Sequence, residues 1–468
     1  MDRVAGIEIE YGCLVAKDQP PAHVDAWPAR VKTHIFKKLA LGLIDLHYRD
    51  YEEPPGNGGF LFNGGRLYLD MGHLEYSSPE CVSLRDAVAY EQAGDQIILK
   101  ALEDMEVRSQ VSFLKNNIDH FTGATFGCHE NYLMRREANF SDGALGALLC
   151  FLATRQIFTG AGRVGQTDPL TFDYEAADFG APVRFQMSQR ADHIVNDIYQ
   201  WVQFNRSIIN ARDEPLADYR KYRRLHLLIG DSNMSPFATA LKIGTTSLVL
   251  DMLEDGRLPG GCELRDAVSA TRHLSRDVEG DWQVEMASGR TIGALDLQYR
   301  FLEEARKCFG GRDEETDWVL ENWAFTLDVM RSKPEALLGG VDWISKKWLL
   351  EMFAEEEGLD WSSPHMLSLD LEYHNIDPDR GLFFSLEGAK GIGDFNAASR
   401  RLETISSPPR NTRAAGRSDA LRRIRERGLG YLVNWDAIAL EDKRHFPMPD
   451  PFETYLEKAR EFVAGECD

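Results

Sequence analysis

The sequence predicts an α+β protein: a large body of strands and helices with a small unit docked at its C-terminal end. Period-two alternation opens the chain, helical spacing of apolar residues fills much of its second half, and strands and helices are not in βαβ alternation. The 468 residues are 43% hydrophobic and 10% aromatic, enough to bury a sizeable core and to exclude global disorder.

Taken in order, Val4-Ala5-Gly6-Ile7-Glu8-Ile9-Glu10-Tyr11-Gly12 alternates apolar and acidic residues, the period of a strand. A helix is predicted from Trp27 to Ile44, followed by a turn-rich loop, Pro54-Pro55-Gly56-Asn57-Gly58-Gly59. Gly65-Arg66-Leu67-Tyr68-Leu69-Asp70 reads as a second strand, and Val82 to Glu106 as a helix. A strand over Val111 to Asn116 leads through a loop to Gly127-Cys128-His129-Glu130-Asn131-Tyr132-Leu133, and 143–158 reads as an apolar helix. Arg223 to Gly230 is a further strand, and helical patterns dominate from 236 to 356. Ser406-Ser407-Pro408-Pro409 interrupts that patterning near 396–412, which divides the chain into a large unit, 1–400, and a small one, 401–468.

Composition excludes several classes. With 53 Lys/Arg against 75 Asp/Glu, a net charge of −22 and a pI near 5.0, the chain lacks the basic surface of a general nucleic-acid binder. Its seven cysteines are scattered and contain no C-x-x-C pair, which excludes the usual zinc spacings and a secreted disulfide framework. No signal-peptide pattern follows Met1-Asp2, and the longest apolar stretch, Ala144 to Ala153, is about half of a membrane span. The expectation is a cytoplasmic protein with no membrane partner.

Side chains two apart in a strand share a face, so Glu8 and Glu10 project together while Ile7, Ile9 and Tyr11 take the other side. Side-by-side carboxylates repel unless a cation separates them, and hard cations such as Mg²⁺ take oxygen ligands. A strand with one solvated face accounts for the same pattern. The second strand repeats it, with Arg66, Tyr68 and Asp70 on one face and Glu75 and Glu80 close behind. A polar binding site and a salt-bridged surface strand both fit. His226, alternating with Arg224, and His129, beside Glu130, are each more often structural when taken alone. Gly160-Ala161-Gly162-Arg163-Val164-Gly165 fits G-x-G-x-x-G but follows a helix and enters a loop, so a helix cap and turn is expected rather than a dinucleotide site. No P-loop is present, and Asn139-Phe140-Ser141 has no secretory context.

In combination the motifs are specific. Gly6-Ile7-Glu8-Ile9-Glu10-Tyr11-Gly12, Asn63-Gly64-Gly65-Arg66-Leu67-Tyr68-Leu69-Asp70, Glu75-Tyr76-Ser77-Ser78-Pro79-Glu80-Cys81 and Lys115-Asn116-Asn117 occur in this order. Gly127 to Leu133, Ile209-Asn210-Ala211-Arg212-Asp213-Glu214-Pro215 and Tyr222-Arg223-Arg224-Leu225-His226 follow. The chain resembles, nearly end to end, the Pup ligase and Pup deamidase/depupylase family, which has a glutamine-synthetase-like carboxylate–amine ligase fold. The resemblance implies ATP and Mg²⁺ as cofactors, a Pup-like modifier ending in Glu or Gln as partner, and lysine-bearing proteins as substrates. Carried over by position, it assigns Glu8, Tyr68 and Glu75 to the magnesium site and Asp70 to catalysis. Arg66, Ser78 and Trp435 fall at ATP-contacting positions, and Glu10 and His226 join the metal site by analogy with related sheets. Leu74, Ala211 and Leu216 depart from the family pattern without removing a role-bearing side chain.

The family holds two opposed activities. Cys128, Gly230 to Ser235, Leu369 to His374, Asp450-Pro451-Phe452 and the short loop before the second strand are ligase-like. Tyr11, Gly162 to Gly165, Phe185 to Arg190, Gly244-Thr245-Thr246 and the short spacing from Asp70 to Glu75 are depupylase-like. The balance favours the ligase. A small-molecule carboxylate–amine ligase would use the same face, whereas a scaffold without catalysis would be expected to lose the carboxylates that this chain keeps.

Overall fold

The structure is a computed structural model of the chain, described over residues 3–16, 26–48, 53–121, 123–166, 183–200, 206–387 and 402–465. Its first strands are β1 (Ala5–Val15), β2 (Gly42–Ile44), β3 (Gly58–Leu61), β4 (Arg66–Asp70), β5 (His73–Ser77) and β6 (Val111–Leu114). They are followed by β7 (Cys128–Arg135), β8 (Arg163–Val164), β9 (Phe185–Gln186), β10 (Asn196–Tyr199), β11 (Ser207–Asn210) and β12 (Tyr222–Leu227). Among the described residues, ten of these form one sheet in the order β10-β11-β12-β7-β1-β5-β4-β3-β2, with β6 also paired to β1. Only β10 and β11 run parallel within it. The fold is α+β, as predicted.

Two elements differ from the sequence reading. The first helix spans Ala26–Lys37 and stops there, and the apolar residues beyond it belong to β2. Ala40, with φ of 52°, turns the chain between them. The Gly-rich stretch expected to be loop runs on into β3. A Cβ on Gly59 would lie 2.3 Å from the Leu43 carbonyl oxygen, so glycine here permits close strand approach rather than a turn. β4 and β5 meet in a two-residue hairpin at Met71 (φ 46°) and Gly72 (φ 93°), the left-handed pair that tight hairpins require. That turn puts Asp70 and His73 opposite each other at the hairpin end.

One face of the sheet is the core face. Ile7, Ile9, Tyr11, Leu67, Leu74, Tyr76, Tyr132 and Leu227 are buried there in one cluster with Val88, Ile97, Leu241 and Trp323 from the helices. The helix Leu84–Asp104 is started by Ser83, whose hydroxyl accepts the Asp86 N–H at 3.2 Å. Charges buried in this layer are paired: Lys115 Nζ meets Glu91 at 2.6 Å and Asp95 at 3.0 Å, and Tyr11 donates to Asp95 at 2.7 Å. Gly160 caps the short helix Gln156–Thr159 and leads into β8. The Thr/Asp/Pro run after it, 167–182, lies outside the described residues, as does part of the expected boundary, 388–401.

The C-terminal segment contains the helix Arg413–Arg427, three short antiparallel strands and the helix Leu456–Ala464. Leu421, Ile424, Val433, Ile438, Met448 and Phe462 form a second core, completed by Phe60 and Phe62 at β3. No described helix is long and apolar enough to cross a membrane.

Candidate active site

The other face of the sheet is polar, and register places its side chains in rows. Glu10 stands opposite Glu75, which stands opposite Tyr68. Glu8 stands opposite Ser77, and Ser77 opposite Arg66. On the other side of β1, His129 faces Glu8. His226 is paired with Asn131 one strand further out. Strands about 4.8 Å apart bring such residues within reach of one small ligand.

Each carboxylate here has a distinct electrostatic setting. Burial opposes ionisation of Glu8, but a 3.2 Å hydrogen bond with His129 Nδ1 and the nearby Arg224 hold it below the usual carboxylate range. Glu10 is likewise buried and likewise held low, by His73 Nδ1 at 2.6 Å and the Gly127 N–H at 2.5 Å. Glu75 goes the other way. Burial raises it first, then the charges of Glu8, Glu10 and Asp70, and the 2.6 Å hydrogen bond donated by Tyr68 only partly offsets them. Burial and Arg224 keep His226 neutral, and among the described residues neither of its ring nitrogens has a hydrogen-bond partner. Donor atoms of Glu8, His129 and His226 all lie within 4.8 Å of one another, and the two rings meet edge to face.

These residues fit a divalent cation. Carboxylate oxygens and a phenol oxygen suit Mg²⁺ or Mn²⁺, imidazole nitrogens extend the donor set, and positive charge would relieve the repulsion on Glu75. Asp70 and Leu69 are half-buried at the end of β4, and Arg206 feels the charges of both Glu10 and Asp70.

A cleft opens along this face between the sheet and the C-terminal segment. Its walls include Gly6, Glu8, Ser78, Asn131, Pro215, Arg224, Arg413 and Trp435. The Trp435 indole is fixed edge-on to Phe60, 5.1 Å between centroids, with the Arg417 guanidinium 4.9 Å from its ring. Ser78 accepts the Ile7 N–H at 2.9 Å, which ties β1 to the strand after the hairpin.

Of the sequence-predicted residues, Glu8, Ser78 and Trp435 share the cleft, while Glu10, Tyr68, Glu75 and Asp70 continue along the same face. His226 joins Glu8 at its edge, 3.9 Å away. Arg66 occupies the face, but its guanidinium is paired with Glu53 at 2.6 Å and is not on the cleft wall. Glu80, read as part of the polar constellation, lines the cleft with its carboxylate already engaged: Arg413 and Arg417 each reach it at 2.6 Å. Sequence reasoning left His129 with a structural reading and missed His73 and Arg413. His129 shares the period-two face of its strand, but nothing local says that this strand lies beside Glu8.

Comparison with known proteins gives one coherent family. The model of the family described as Pup-ligase protein matches residues 3–439. A Pup–protein ligase from Nocardioides sp. is 35% identical over 478 residues, covering 99% of both chains. A depupylase from Acidothermus cellulolyticus is 40% identical over 475 residues, covering 94% of this chain and 91% of its own. The complex between the prokaryotic ubiquitin-like protein Pup and its ligase PafA superposes with a TM-score of 0.81 at 32% identity, covering 99% of this chain and 91% of that one. The Pup ligase PafA with ADP superposes with a TM-score of 0.76 at 31% identity, covering 97% and 96%.

Proposed function

We infer the reaction from one premise: the chain belongs to the Pup-ligase protein family. The reading is an ATP-dependent ligase that joins the C-terminal glutamate side chain of a Pup-like modifier to a lysine of a target protein. The observation that carries it is Glu75, buried among Glu8, Glu10 and Asp70 on a face continuous with the cleft. Such a cluster suits a cation and the phosphates it accompanies.

Chemical need orders the steps. A carboxylate oxygen is a poor leaving group, so the γ-phosphoryl group of ATP passes to the modifier's glutamate, giving an acyl phosphate and ADP. The lysine nitrogen then attacks the acyl carbon, the carbon–oxygen bond to phosphate breaks, and phosphate leaves. Lysine, with an ordinary pKa of about 10.4, arrives protonated, and Asp70 accepts its proton as attack proceeds. Glu8, Glu10, Tyr68, Glu75 and His226 would hold magnesium, which when bound neutralises phosphate charge. Arg66 stands on the same face as a source of positive charge for the phosphates, its guanidinium resting on Glu53 until nucleotide is bound. Ser78 and Trp435 bind the nucleotide, the indole by stacking area, so 401–468 completes a site whose other residues lie within 1–400. Scattered free thiols and an ATP requirement support a cytoplasmic setting.

The relative at 40% identity is a depupylase, and that favours a second reading in which the same face hydrolyses the isopeptide or amide bond. One assay separates the two. Enzyme, ATP, magnesium, a Glu-ending modifier and a lysine-bearing acceptor should yield an acceptor heavier by one modifier less water. Cleavage of preformed conjugate, or conversion of a terminal Gln to Glu, without conjugation would replace the ligase reading.

A further inference from the structure

Arg66 stands among acids yet is turned away from those of the candidate active site. It lies two strands from Glu8 on the polar face and is 6% exposed. Its ion-pair partners are Glu53 at 2.6 Å and Asp45 at 3.9 Å; neither Glu8 nor Glu75 is paired with it. Tyr68 separates the two groups: the guanidinium packs over its ring, 4.3 Å from the centroid, while its hydroxyl donates to Glu75 at 2.6 Å.

Glu53 and Asp45 reach Arg66 from the connection between β2 and β3, and its described ends are held in place. Lys32 Nζ donates to the Gly56 carbonyl at 2.8 Å, the Gly56 N–H to the Asp45 carbonyl at 2.8 Å, and the Asp45 N–H to the Gly58 carbonyl at 2.8 Å. A guanidinium left beside Glu8, Glu10, Glu75 and Asp70 would be drawn to them, since charge-assisted pairs with carboxylates are strong. Once there, it would occupy the oxygens that a divalent cation needs.

We propose that Glu53 is a positioning residue that acts through Arg66, holding the guanidinium on the loop side of Tyr68 so that the Glu8 and Glu75 carboxylates stay open to a divalent cation. The inference rests on the cation-site reading above and adds a residue to it. Glu53 rather than Asp45 carries the role, because it makes the direct hydrogen bond to Arg66.

The test is Mn²⁺ binding without nucleotide, read by electron paramagnetic resonance, in the wild type, Glu53→Gln, Glu53→Asp, Arg66→Met and the Glu53→Gln/Arg66→Met pair. Glu53→Gln should weaken Mn²⁺ binding roughly tenfold as the freed guanidinium competes for the carboxylates. Glu53→Asp should recover most of that loss. In the Arg66→Met background the Glu53→Gln change should have no effect on Mn²⁺ affinity. Unchanged binding by Glu53→Gln, or an equal loss in both backgrounds, overturns the proposal, the second result because it marks a merely structural role. A wild type that binds Mn²⁺ here but shows no ATP binding in parallel calorimetry sinks the nucleotide reading and leaves the Glu53 comparison decisive, whereas a wild type that binds no Mn²⁺ overturns both.

Discussion

Glu75 and Glu80 lie five residues apart and are both buried, yet the protein treats them in opposite ways. Burial opposes the charge on Glu80, but the guanidiniums of Arg417 and Arg413 and their hydrogen bonds overcome it and hold the carboxyl at about 2. Arg417 also donates to the Gly64 carbonyl at 2.7 Å and the Trp435 carbonyl at 2.8 Å, so this one carboxylate joins sheet, hairpin and C-terminal helix. Among the described residues Glu75 has one donor, Tyr68, and three like charges nearby. A compensated buried carboxylate is a structural clamp, and a buried carboxylate surrounded by its own kind is a place for a cation. Sequence distance does not separate the two roles; the partners do.

The largest expected effect lies on the chemical side of this comparison. Asp70→Asn keeps size and most hydrogen bonding but removes the base, so turnover should fall by about 10²–10⁴-fold with ATP affinity kept. Turnover kinetics beside calorimetry would check it. Lost nucleotide binding would instead make Asp70 part of the binding site.

Next in size is the clamp. Glu80→Gln leaves two buried guanidiniums without their carboxylate and should cost about 3–5 kcal/mol of stability in denaturant unfolding. The C-terminal segment should become protease-sensitive before the sheet does. A variant as stable as the wild type would show that the clamp is not where the docking energy lies.

The pH dependences should have opposite signs. A carboxyl lowered on folding, such as Glu80, contributes stability that is full above its ordinary pKa of about 4.3 and is lost as pH falls toward 2. A carboxyl raised on folding, such as Glu75, binds more protons folded than unfolded. Its contribution is therefore favourable at low pH and is lost as pH rises above about 4.3. Thermal unfolding without divalent cations should show both slopes, with Glu75→Gln removing the second alone and added Mg²⁺ flattening it.

The smallest effect is expected from Ser78→Ala, which removes the acceptor for the buried Ile7 N–H and should cost roughly 1–3 kcal/mol of stability. Loss of ATP binding at full stability would move Ser78 from the strand joint to the nucleotide.

Much of this contrast was legible in the chain. Period-two alternation put Glu8 with Glu10 and Tyr68 with Asp70, because that pattern depends on local backbone geometry alone. The glycines of β3 read as loop because their purpose, close approach to β2, is tertiary. Glu80 read as part of the site because Arg413 and Arg417, more than three hundred positions away, leave no local trace. Arg66 reads as a nucleotide-contacting residue, and the loop acid that pairs with it, Glu53, is identified only by packing.

The measurement that bears most directly on the contrast is Mg·ATP calorimetry on the wild type and Glu75→Gln, paired with thermal unfolding of both without cation. The account predicts that Glu75→Gln unfolds at the same or a higher temperature, because repulsion is relieved, while losing magnesium-dependent ATP binding. A variant that unfolds at a lower temperature and binds Mg·ATP as the wild type does would contradict it, and would make Glu75 a structural carboxylate like Glu80.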